Sequence, residues 1–139
     1  MSSEFDLELD GNSANGSTSY TELNVWSEAR AITKEIYAFT SNFPESEKQG
    51  LSKQMRELAV TVPSKIAEGA GRRQAKHALH YLFEAKGSLF QLETMVYIAL
   101  DLGYCLDYQA NDLIEKIITS RKLLFGYIRF KERKAENQR

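Results

Sequence analysis

The sequence predicts an all-α protein, an antiparallel up-down-up-down four-helix bundle, on three observations. Apolar residues recur at steps of three and four in four separate stretches. Short breakers carrying glycine or proline separate those stretches, which makes sequential helices antiparallel neighbours. Only two prolines and eight glycines interrupt 139 residues, which leaves room for long helices. A chain of this length forms one domain and buries a core without staples. Its composition, 42% hydrophobic and 27% charged, is that of an ordinary globular protein.

Residues 1–23 carry Glu4, Asp6, Glu8, Asp10 and Glu22 and no basic residue. Their Gly/Asn/Ser-rich run, 11–19, cannot bury enough to offset its ordering entropy. The expectation is a disordered acidic tail at 1–23, a bundle at 24–134 and a short basic end at 135–139.

The first helix is expected at 24–40. Val25, Ala29, Ile32, Ile36 and Phe39 fall on one face, widened by Trp26, Thr33 and Tyr37. Asn42, Phe43 and Pro44 break it. The second helix is expected at 44–68, with Glu45 and Glu47 in its first turn, where the dipole favours acids. Leu51, Met55, Leu58, Val62 and Ile66 form its stripe, and Pro63 falls inside it. An internal proline removes a hydrogen bond and costs ~3 kcal/mol. Because the stripe continues past Pro63, a kink near 59–63 is expected, not a break. Gly69 and Gly71 should end this helix.

The third helix is expected at 74–102. Ala78, Leu82, Ala85, Leu89, Leu92, Val96 and Ala99 make an unbroken coiled-coil-like seam. Leu79, Phe83, Phe90, Tyr97 and Leu100 flank it, and Met95, Ile98 and Leu102 lie on yet another side. One apolar face suffices inside a bundle. The surplus at Phe90, Met95, Tyr97 and Ile98 therefore points to a contact between subunits. The fourth helix is expected at 108–134, with Leu113, Ile117, Leu124 and Ile128 inward and Ile114, Ile118 and Phe125 beside them.

Several chemistries find no residues to carry them. Cys105 is the only cysteine, so no internal disulfide forms, and no histidine is set apart to activate it. His77 and His80 stand one helical turn apart with no third ligand spaced for them. Gly69-Ala70-Gly71 fits no phosphate-binding loop. The carboxylates fall on polar helix faces. No catalytic residue, metal or cofactor is assigned, and a non-enzyme is expected. The N-terminus lacks a basic and apolar leader, and no stretch approaches the ~20 apolar residues of a membrane span. A cytoplasmic protein without membrane contact is the expectation.

Two basic clusters stand out against a net charge of −1. Arg72, Arg73 and Lys76 sit at the start of the third helix, where the dipole disfavours cations. Together with free N–H groups they describe an anion site for phosphate or RNA. The alternative has Glu68 and a carboxylate of a neighbouring helix or subunit neutralising the arginines. The second cluster is Arg129, Lys131, Arg133 and Lys134, interleaved with Tyr127 and Phe130. Such a stretch binds phosphates, and it is equally the ordinary solvated end of a helix.

The run Phe43-Pro44-Glu45, Gln54-Met55-Arg56 and Val62-Pro63-Ser64-Lys65-Ile66-Ala67-Glu68-Gly69-Ala70-Gly71-Arg72 resembles a known signature. It is similar to that of the four-helix-bundle proteins encoded within intervening sequences of bacterial 23S ribosomal RNA genes. The likeness continues through Tyr81-Leu82, Gly87-Ser88-Leu89, Leu92-Glu93 and Leu102-Gly103-Tyr104 and covers roughly residues 24–130. Pro63, Ile66, Glu68, Gly69 and Gly71 are its motif positions here. One departure is Lys65, where the family usually has asparagine, an amide suited to bond the backbone that Pro63 frees. The resemblance implies an up-down bundle of bacterial origin and a homopentamer. A more distant resemblance is to the accessory variability protein of diversity-generating retroelements, a basic pentameric bundle that binds nucleic acid and a reverse transcriptase. The partners expected are thus further copies of the chain, RNA, and an unidentified protein.

Overall fold

The computed structural model describes residues 19–138. Four α-helices carry the fold: α1 Asn24–Thr40, α2 Leu51–Ala70, α3 Ala75–Asp101 and α4 Asp107–Asn137. Short 3-10 turns at Tyr20–Glu22 and Glu45–Glu47 are the remaining regular elements, and no strand occurs among the described residues. Consecutive helices pair in opposite order. Thr33 and Thr40 of α1 meet Ala59 and Arg56 of α2. Lys65 and Arg72 of α2 meet Glu84 and Tyr81 of α3. Glu93 and Ala75 of α3 meet Arg121 and Gln138 of α4. Lys116 of α4 returns to Glu35 of α1 and closes the up-down-up-down bundle.

The expected stripes meet in one core. Val25, Ile32, Ile36, Met55, Val62, Ile66, Leu82, Leu89, Leu92, Val96, Ile117 and Leu124 are all buried in it. Each such side chain contributes ~1.5–3 kcal/mol of hydrophobic stabilisation. At one end Phe43 packs between Phe39 and Tyr104, with ring centres 5.5 and 5.2 Å away.

Helix ends differ from expectation where side chains decide them. α2 starts at Leu51 rather than residue 44, because residues 45–47 form a separate turn. The Glu47 carboxylate then accepts from the Leu51 N–H at 3.0 Å and from the Tyr104 hydroxyl at 2.7 Å. Gly69 does not end α2. It is buried inside the helix, where an added Cβ would stand 3.0 Å from Leu82 Cδ2 and 3.2 Å from the Ala78 carbonyl. Its missing side chain lets α2 and α3 approach. Gly71 does follow the last helical residue, in a right-handed conformation. Gly103 is the left-handed terminator, with φ +75°. There Tyr104 N–H reaches the Ala99 carbonyl and Gly103 N–H that of Leu100, a Schellman closure. α4 continues to Asn137, three residues past the expected stop.

Pro63 leaves α2 helical throughout. The carbonyl its ring deprives of a donor is Ala59's, and the Thr33 hydroxyl of α1 donates to it at 2.8 Å. Of the expected tail, residues 1–18 lie outside the described residues. Residues 19–23 do not fit a disordered tail, because Ser19 caps the first turn and Leu23 is fully buried.

Candidate RNA-binding end and subunit face

The segment that joins α2 to α3 sets its side chains in two groups. Arg72 donates to Tyr81 Oη at 2.8 Å and to Glu68 Oε2 at 3.2 Å, and its guanidinium lies 4.8 Å from the Tyr81 ring centre. Lys65 joins the same knot, 3.4 Å from Glu84 and 5.4 Å from the Tyr81 ring. Lys65 therefore bridges α2 to α3 and does not serve the backbone at Pro63, a task that Thr33 performs. Arg72 braces the turn, while Arg73 and Lys76 are exposed and make no ion pair among the described residues.

The N-terminus of α3 is not wholly open. Gln138 Oε1 accepts from the Ala75 N–H at 2.9 Å, so the end of α4 caps the start of α3. That contact brings both basic clusters to one end of the bundle. Lys76 shares a cleft there with Glu132, Glu136 and Gln138. Within the α4 cluster the structure separates four cations that sequence grouped together. Arg129 and Arg133 are exposed, and Arg129 covers the Phe125 ring at 5.4 Å. Lys134 is half-buried, its ammonium 5.5 Å from the Phe130 ring centre.

Lys131 is 7% exposed, and burial first, then the nearby Lys134, pushes its ammonium pKa down. It is no surface phosphate contact. Tyr127 and Phe130 are buried as well and offer no stacking surface to bases. Sequence alone misses this because the face of α4 that is inward depends on what lies beside it.

The expected subunit face needs one removal and two additions. Met95 packs partly buried against the protein's own core and leaves the list. Phe90 and Tyr97 are 44% and 48% exposed, and Ile98 is also exposed. Phe83, 47% exposed, extends the row at a seven-residue step, two turns of α3. Phe125 of α4 was expected to flank the core but faces out beside them, 46% exposed. Cations line this row: Arg121 lies 4.5 Å from the Phe90 ring centre, and Lys86 5.4 Å from that of Phe125. Arg121 is itself held by Glu93 at 2.9 Å.

Other groups offer little chemistry. Burial first, then Asp107, pushes the Cys105 thiol pKa up, which favours the unreactive neutral form. No group of three or more His, Cys, Asp or Glu side chains is placed to hold a metal among the described residues. None of their helices is long and apolar enough to cross a membrane.

An all-α four-helix bundle, with an internal Val-Pro helix and an Ile-Ala-Glu-Gly turn locked onto Tyr81, is the class that fold and site define. The chain belongs to the 23S rRNA-intervening sequence protein family, whose model matches residues 21–126. No curated protein matches the chain.

Proposed function

We propose that the protein is a homo-oligomeric, non-catalytic bundle that associates with RNA in the cytoplasm. The observation that carries this reading is the outward aromatic row of Phe83, Phe90, Tyr97 and Phe125. A lone bundle gains nothing from four large rings in water, and contiguous exposed apolar surface marks interaction sites. Joining copies through this α3–α4 face would bury the row and leave the basic end of each subunit at the rim. A ring of five is the assembly the resemblance implies. Arg73, Lys76, Arg129 and Arg133 are the cations free to meet phosphates, with Arg72 fixing the turn that presents them. The distant likeness to the accessory variability protein agrees with a nucleic-acid role and adds no residue to it.

Sedimentation at micromolar concentration tests the assembly. The wild type should sediment as a multimer and the Phe90→Glu/Tyr97→Glu variant as a folded monomer. A monomeric wild type overturns the interface. Gel shifts with RNA test the basic end: Arg73→Ala/Lys76→Ala should weaken binding and flatten its salt dependence by about one unit per lost phosphate contact. Equal binding removes those residues from the site.

A second reading is a protein–protein adaptor. Leu102, Leu106 and Tyr108 are exposed at the opposite end of the bundle, away from the cations, and suit an apolar partner segment. Binding of no RNA by an intact oligomer would favour it.

A further inference from the structure

α1 and α4 run antiparallel and meet where Lys116 donates to Glu35. Eleven residues back from Glu35 stands Asn24, the first residue of α1, and eleven forward from Lys116 stands Tyr127. The two helices rise equally per residue, so α1 begins about level with Tyr127. Past that level α4 runs on to Asn137 without α1 beside it. The Tyr20–Glu22 turn packs on α1 and α2 instead.

That flank of α4 is nevertheless covered. Lys116, Ser120, Tyr127, Phe130 and Lys134 follow one another along the α1-facing ridge at helical spacing. Tyr127 is fully buried, Phe130 is 2% exposed, and Lys131 beside them is nearly as enclosed. Their rings stack on each other with centres 6.2 Å apart, and the ammonium of Lys131 lies 5.8 Å from the Tyr127 ring. No carboxylate among the described residues pairs with Lys131. An enclosed ammonium without a counter-ion is costly.

We propose that residues 4–10 of the same chain fill the place beside the end of α4 that α1 is too short to reach. Phe5, Leu7 and Leu9 alternate with Glu4, Asp6, Glu8 and Asp10. In an extended segment that alternation sets three apolar side chains on one face and four carboxylates on the other. The flank of α4 offers the matching chemistry: the Tyr127 and Phe130 rings, bordered by Arg129, Lys131, Arg133 and Lys134. The apolar face lies on the rings, and the carboxylates reach around to the bordering cations and give Lys131 a counter-ion. The chain reaches easily. Ser19 and Tyr20 stand at this end of the bundle, the Tyr20 ring 5.3 Å from that of Trp26 at the start of α1. The nine steps from Ser19 back to Asp10 span up to ~30 Å, against ~15 Å of α4 between Tyr127 and Asn137.

Disulfide trapping in the full chain identifies the occupant. Leu7→Cys/Lys134→Cys, with Cys105→Ser, should close within one chain under mild oxidation and keep monomer mass on a denaturing gel. The control pair Leu7→Cys/Lys53→Cys should not close. A disulfide between chains would overturn the same-chain packing in favour of a second copy. No closure above the control would overturn the contact. Hydrogen exchange provides a second measurement that leaves α4 unaltered. Phe5→Ser/Leu7→Ser/Leu9→Ser should speed exchange of amides 126–134 by ~10-fold or more and leave 82–96 unchanged. Unchanged exchange at 126–134 would refute the packing.

Discussion

Thr33 and Pro63 illustrate how one residue can make another tolerable. Pro63 costs α2 a backbone hydrogen bond, and the orphaned acceptor, the Ala59 carbonyl, faces α1. The Thr33 hydroxyl fills it at 2.8 Å, closer than its alternative contact to Ala29 O at 3.1 Å. Thr33→Val keeps the shape and removes the donor, so it should destabilise by about 1–2 kcal/mol. In a Pro63→Ala background the new N–H serves the same carbonyl. There Thr33→Val should cost less than half as much, as read by urea unfolding of all four proteins. Equal costs in both backgrounds would show that the hydroxyl is not the stand-in donor. Glu47 makes a second prediction. The Leu51 N–H first, then the Tyr104 hydroxyl, hold its carboxyl below the usual carboxylate range. A folded pKa below the unfolded value of ~4.3 adds stability above that value and loses it as pH falls through the folded one. Glu47→Ala should therefore melt below the wild type at neutral pH, and the gap should close as pH falls below ~4.

At the scale of helices, what could be read ahead was what periodicity controls. The seam from Ala78 to Ala99 is buried as its spacing required, and α1, α3 and α4 begin within a residue of expectation. α2 begins seven residues late because a proline suited to a first turn loses to Gly50, whose φ −112° and ψ −115° are not helical, and to the Glu47 cap across the gap. Gly69 resembles a terminator in sequence, since glycine at a helix end and glycine at a close helix crossing look alike until the partner helix is known. The candidate site divides along the same line. Arg73 and Lys76 fall on a polar face and are exposed. The Arg72–Tyr81 bond joins two helices and has no local signature. Tyr127, Phe130 and Lys131 alternate with charges as a solvated end would, and their burial depends on a neighbour that periodicity cannot name.

Over the whole molecule, charge is divided between an acidic beginning and a basic remainder, and that division sets a sign. Residues 1–18 hold four acids and no base, so removing them takes the formal net charge from −1 to +3. If residues 4–10 lie along α4, their carboxylates compete with phosphates for Arg129, Arg133 and Lys134. A chain starting at Ser19 should then bind RNA more tightly than the full chain at low salt. Each cation released to a phosphate adds about 0.9 to the magnitude of the salt slope, so its affinity should also fall more steeply as salt rises. Long-range attraction would also rise with net charge alone, but that gain is screened beyond ~10 Å at 0.1 M salt. The two causes separate in a full-length variant with Phe5, Leu7 and Leu9 changed to serine, which keeps every acid and loses the apolar contact. Binding as tight as that of the shortened chain makes direct occupation of α4 the cause. Binding like that of the wild type leaves net charge as the cause, and identical affinity for all three proteins removes the tail from RNA recognition.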